Sequence, residues 1–178
     1  MPSPAERKIR TGEIALLGVF LAYTLVISMV ERMIPPVGAG IPGIRLGLAN
    51  VVVLLALYLF PLPRALLLTV LKCILAAMLA GGPAALLYSL GGSLLSFFVM
   101  TALIRLLRDN ISPVGVSVAG AAFHNIGQIL VACLLFRSLT VLLYLPVLLM
   151  IGIGTGTLTG VLALRLRPFL AAYLEKRQ

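Results

Sequence analysis

Apolar residues fill this chain in six long blocks, covering residues 14–34, 44–60, 65–79, 84–107, 114–136 and 139–164. A hydrocarbon core about 30 Å thick requires about 20 such residues per helix, so each block is read as a membrane span. The breaks between them carry helix terminators: Pro35-Pro36 through Pro42-Gly43, Pro61-Leu62-Pro63, Gly81-Gly82-Pro83, Arg108-Asp109-Asn110 up to Pro113, and Arg137-Ser138. The pattern predicts an all-α integral membrane protein, a six-transmembrane-helix bundle, with its second and third helices the shortest.

Composition agrees with the pattern. Of 178 residues 61% are hydrophobic and 11% charged, against about 25% charged in ordinary soluble domains. Six spans use nearly all of the chain, so residues 1–178 are expected to form a single transmembrane domain. Arg7, Lys8 and Arg10 ahead of an apolar run resemble a signal peptide, but the run over 14–30 is long and shows no small-x-small cleavage site, so it is read as the first span.

The formal charge of +9 would suggest a nucleic-acid partner in a soluble protein. No aromatic-interleaved basic patch is present and Trp is absent, which excludes that reading. The charge is a topology signal instead. Ten basic residues (Arg7, Lys8, Arg10, Arg64, Arg105, Arg108, Arg165, Arg167, Lys176, Arg177) fall on one side of the predicted bundle and three (Arg32, Arg45, Arg137) on the other, with Lys72 inside the third helix. The positive-inside rule then places both termini and the even-numbered loops in the cytoplasm. The first external connection, 35–43, is rich in Pro and Gly yet apolar, and suits either a lid over the helix ends or an ordinary surface loop.

Polar groups inside a span must face the bundle interior, which makes them the informative residues. Ser117, Ala121, His124 and Gln128 follow an i, i+4, i+7, i+11 pattern along one face of the fifth helix, with Asn125 beside them. His124 is expected at mid-span and Gln128 nearer the outside. Asn50 is expected to enter the second helix from outside, and Glu31, Arg32 and Arg45 to flank the first external loop. Together they suit an outward-facing pocket for a small ligand, contacted by Glu31, Arg45, Asn50, His124, Asn125 and Gln128. The same residues would serve equally as interhelical hydrogen bonds, each contributing about 0.6 kcal/mol. Gly47-Leu48-Ala49-Asn50 echoes Ala122-Phe123-His124-Asn125, a pattern that suits coincidence better than an inverted repeat.

Lys72 is expected to snorkel to the inner headgroups, the other reading being a cation that meets an anionic ligand. Gly18-x-x-x-Ala22 in the first helix, and Gly152, Gly156 and Gly160 in the sixth, form smooth faces for helix packing or for docking a membrane partner. Cys73 and Cys133 form no CxxC pair and are read as small core residues, with no metal site and no bound cofactor expected. The acids are Glu6, Glu13, Glu31, Asp109 and Glu175. They build no Asp-rich Mg²⁺ motif, and neither HExxH nor a Walker loop is present, so the chain is not expected to be an enzyme.

The stretch Glu31-Arg32-Met33-Ile34-Pro35-Pro36, then Pro42-Gly43-Ile44-Arg45-Leu46-Gly47-Leu48-Ala49-Asn50, and later His124-Asn125-Ile126-Gly127-Gln128, resembles the bacterial family labelled heptaprenyl diphosphate synthase component I or Gx transporter. That family looks related to the substrate-binding S components of energy-coupling factor (ECF) transporters. The resemblance implies a six-helix fold in a bacterial cell membrane, an outward pocket under the first loop, and a flavin-, quinone- or isoprenoid-like ligand. Its implied partners, besides the lipid bilayer, are an ECF-type energising module or an electron-transfer protein. Two functions follow from it. One is a non-catalytic substrate-binding or transport subunit. The other is an accessory subunit of an extracellular electron-transfer or prenyl-quinone assembly. The synthase in the label is not matched by the residues, because prenyl synthases carry two Asp-rich motifs and this chain has one Asp, Asp109.

Overall fold

The computed structural model describes residues 11–33, 47–80 and 82–175, and these are helical apart from short turns. Six α-helices occur among them: α1 (Thr11–Met33), α2 (Asn50–Leu59), α3 (Leu62–Ala80), α4 (Gly82–Leu107), α5 (Pro113–Phe136) and α6 (Leu145–Glu175). Five are long and apolar enough to cross a membrane, whereas α2 has ten residues. At 1.5 Å per residue α2 is about 15 Å long, half of a bilayer core. The expected second span is thus shorter than its apolar block. The cause is local: Gly47 has φ +82°, a left-handed conformation that interrupts a helix, and a turn at Leu48 and Ala49 delays the start to Asn50. The predicted lid, Arg45 and the terminal basic residues Arg7, Lys8, Arg10, Lys176 and Arg177 lie outside the described residues.

Two other boundaries differ from the sequence pattern. Residues Leu139–Tyr144 form a 3-10 turn ahead of α6 rather than its first turns, and α6 continues to Glu175 through Pro168, beyond the expected end at residue 164. Its 31 residues span about 46 Å, longer than a bilayer core. The surplus end returns to the bundle: Leu170 and Leu174 pack on the core around α2, and the Arg167 guanidinium lies 4.4 Å from the centre of the Tyr58 ring.

The helices share one basic end. Arg64 at the start of α3 pairs with Glu13 of α1, Arg105 lies in the last turn of α4, and Arg108 and Arg167 line one cavity. Above that end an apolar core is built on α2, whose residues 50–56 are all buried. Phe97, Met100 and Val116 close over it from α4 and α5, and Phe20 meets Phe60 edge to face at 5.8 Å. Burial all round explains why α2 lacks a polar stripe, since an interior helix has no lipid or water face to mark. A second, smaller core of Tyr88, Ile129, Ala132, Val141 and Leu148 lies toward the opposite end.

α4, α5 and α6 pack as a close layer because glycines remove the side chains between them. A Cβ on Gly156 would fall 2.7 Å from Val118 Cα and one on Gly160 2.6 Å from Val114 Cα, while Gly127 faces the Gly91 carbonyl. Gly18 and Ala22 behave differently. Both are on the exposed side of α1, and a Cβ on Gly18 would meet nothing within 4 Å, so this pair packs against none of the described residues.

Candidate functional site

Between the two apolar cores lies a buried polar layer. Asn50 opens α2, Lys72 is ten residues beyond the first residue of α3, and His124 eleven beyond that of α5. At 1.5 Å per residue each stands about 15 Å from the basic end, close to half the thickness of a bilayer core. Asn50 is therefore deep in the bundle, not at an outer mouth as its place in the apolar block suggested. The short α2 is what brings it down.

Lys72 turns inward. It is 5% exposed, and its Nζ donates to Asn50 Oδ1 at 3.2 Å, which corrects the expectation that it snorkels to headgroups. An interior acceptor has replaced water for a group that is costly to bury alone. Asn50 Nδ2 is also buried and has no hydrogen-bond partner among the described residues. Gly47 holds this corner together: a Cβ there would come within 3.1 Å of both Asn50 Nδ2 and His124 Cδ2, so the loop before α2 rests directly on the imidazole.

His124 and Gln128 meet along α5, with Gln128 Nε2 2.9 Å from His124 Nε2. With the amide nitrogen donating, the ring Nε2 is the acceptor. α4 approaches closely here because Gly92 has no side chain; a Cβ would be 2.8 Å from the His124 carbonyl and 2.9 Å from Gln128 Cγ. Ser93 and Ser96 add two buried hydroxyls on α4 whose Oγ atoms have no partner among the described residues. Glu31 reaches the layer from α1, where its Oε1 accepts from the Leu48 backbone N–H and ties α1 to the start of α2.

The structure thus gathers Asn50, His124 and Gln128 and connects Glu31 to them through the 47–50 turn. Asn125 points elsewhere, donating to the Leu148 carbonyl of α6 at 2.6 Å, beside Gly152. The sequence echo between the two asparagines has no counterpart in position, since Asn50 begins a helix and Asn125 is twelve residues inside one. Arg45 and the side chain of Arg32 lie outside the described residues.

Three contributors were missing from the sequence-derived set: Lys72 as a member of the layer, Ser93 with Ser96, and the two close-approach glycines Gly47 and Gly92. A signal for the serines does exist. Ser89, Ser93 and Ser96 recur at i, i+4, i+7, the rule that picked out the face of α5.

Among the described residues the Asn50 amide N–H groups and the Ser93 and Ser96 hydroxyls have no partner and can donate. The layer suits acceptor atoms such as carbonyl, carboxylate or phosphate oxygens. Among the described residues no group of three or more His, Cys, Asp or Glu is placed to hold a metal ion.

An all-helical bundle with five membrane-length apolar helices around a buried polar layer defines a multi-pass membrane protein. Residues 20–166 match the heptaprenyl diphosphate synthase component I family, and the chain belongs to that family. None of the curated proteins compared with it matches. No solved structure matches either.

Proposed function

We propose that this chain is a non-catalytic membrane subunit that binds a small ligand in the polar layer, as a substrate-binding or transport component resembling the S components of ECF transporters. The observation that supports it is the Lys72–Asn50 hydrogen bond at 3.2 Å, which leaves Asn50 Nδ2 buried and without a partner among the described residues, beside Gly47 and His124. A buried amide N–H that no described residue meets costs free energy, a cost that a bound acceptor would remove. The excess of donors favours a ligand head with ring carbonyls, as in a flavin or a quinone, over a bare isoprenoid chain. In this reading Glu31 holds the 47–50 turn and Arg45 meets the ligand from the first loop. The basic end faces the cytoplasm of a bacterial cell, and the ligand reaches the buried layer from the opposite, outer side.

A second reading, an accessory subunit of an electron-transfer or prenyl-quinone assembly, is favoured by one finding. The family description names a component of a synthase, which implies a partner subunit. The two readings are separated by titrating the purified full-length chain with riboflavin and with a short-chain menaquinone. Binding of one probe is expected, and His124→Ala and Asn50→Ala should each weaken it by about 1–3 kcal/mol with the fold retained. Normal binding by both variants with lowered thermal stability would make these residues interhelical glue and favour the accessory reading.

A further inference from the structure

At the basic end, far from the polar layer, a cavity of about 500 Å³ opens where α2, α4, α5 and α6 meet. Its size is in the range of small-ligand sites, about 300–1,000 Å³. Tyr58, Arg108, Asn110, Ser112 and Arg167 supply its polar lining, with Ile104, Ile111 and Pro113 as an apolar floor. No carboxylate is among these residues, although two guanidinium groups are. Two arginines that, among the described residues, share a concave surface with no carboxylate in its lining make a positive focus that attracts anions.

The fold sets the backbone of one arginine and the side chain of the other. Arg108 adopts φ 45° in the turn that ends α4, and Arg167 is on the part of α6 that extends past a bilayer's length and lies over the Tyr58 ring. A cation–π contact fixes the guanidinium while leaving its N–H donors for another partner. Planar forks of this kind match tetrahedral oxyanions bidentately. Ser112 Oγ accepts from the Gly115 N–H, so its own hydroxyl hydrogen remains to donate.

We infer that this cavity is a second binding site, one for a phosphate group, contacted by Arg108 and Arg167 and bordered by Tyr58 and Ser112. The group is carried either by an anionic membrane lipid or by a soluble phosphate compound. The site does not depend on a ligand in the polar layer, because none of its residues belongs to that layer.

Native mass spectrometry of the full-length protein, taken from mixed phosphatidylcholine and phosphatidylglycerol vesicles, tests the lipid source. A thermal-shift titration with inorganic pyrophosphate tests the soluble one. Retention of phosphatidylglycerol over phosphatidylcholine identifies a lipid headgroup, and stabilisation by pyrophosphate alone identifies a soluble anion. In either case the Arg108→Gln/Arg167→Gln double variant should bind at least about tenfold more weakly. Arg137→Gln, at the opposite end, should bind as the parent does. Binding should also fall as salt rises, because both arginines are exposed. Arg167→Lys, which keeps charge but loses the fork, should retain an intermediate affinity, and an unchanged unfolding midpoint of the ligand-free double variant shows that its loss of binding is not unfolding. The inference is overturned if neither probe binds, or if the double variant binds as well as the parent.

Discussion

Lys72 Nζ and Asn50 Oδ1 are 3.2 Å apart on two different helices, and each residue is only 5% exposed. This contact links the start of the half-length α2 to the middle of α3 and sets the depth of the polar layer. Its strength can be measured. A double-mutant cycle with Asn50→Ala and Lys72→Met should give a coupling of about 0.6–1.7 kcal/mol in thermal or denaturant unfolding in detergent. Strictly additive effects would show that the two residues do not act together.

Gly92→Ala should separate α4 from α5. The added Cβ would sit 2.8 Å from the His124 carbonyl, and backbone cannot swing aside as a flexible side chain can. A loss of about 1–3 kcal/mol is expected, as for overpacking in other tight cores. An unchanged unfolding midpoint would mean that the helices do not approach this closely.

Gly156→Leu and Gly18→Leu should differ sharply. At Gly156 the first side-chain carbon already meets Val118 Cα at 2.7 Å, whereas at Gly18 there is open space. The first variant should lower stability and the second leave it intact when the purified chain is heated. If Gly18→Leu keeps the fold but loses a co-purifying membrane subunit, the exposed α1 face is where that subunit docks.

Orientation is testable by labelling intact cells with an impermeant thiol reagent, in a background where Cys133 is replaced by Ser. Cysteine at Ala39 should react and cysteine at Asn110 should not, because ten basic residues against three predict a cytoplasmic fourth loop. Labelling of Asn110 alone would invert the arrangement.

The Glu13–Arg64 ion pair ties the beginning of α1 to that of α3, with the two side chains 25% and 20% exposed. Partial solvation limits its value, so Glu13→Gln should cost no more than about 1 kcal/mol in detergent. A larger loss would mean that the pair holds the first helix to the bundle.

Much of this protein could be read from residue order alone. Runs of apolar residues near bilayer length leave no soluble alternative for α1, α4 and α5, and Ser112 before Pro113 marks the start of α5 by chemistry that acts over three or four residues. The inward face of α5 was also legible, since Ser117, His124 and Gln128 share one side of any helix, and polar groups avoid hydrocarbon. Length of α2, the direction of Lys72 and the allegiance of Asn125 were not legible, because each depends on what another segment places nearby. Hydropathy sees the apolar block over 44–60 but not the left-handed Gly47 that starts the helix at Asn50. A lysine in a span can reach headgroups or turn inward, and the choice was made by Asn50, twenty-two residues earlier in the chain. Asn125 adjoins His124 in sequence, yet successive helical residues point about 100° apart, and the Leu148 carbonyl took its amide. Periodicity fixes which residues share a face, while only the packed bundle decides which faces meet and at what height.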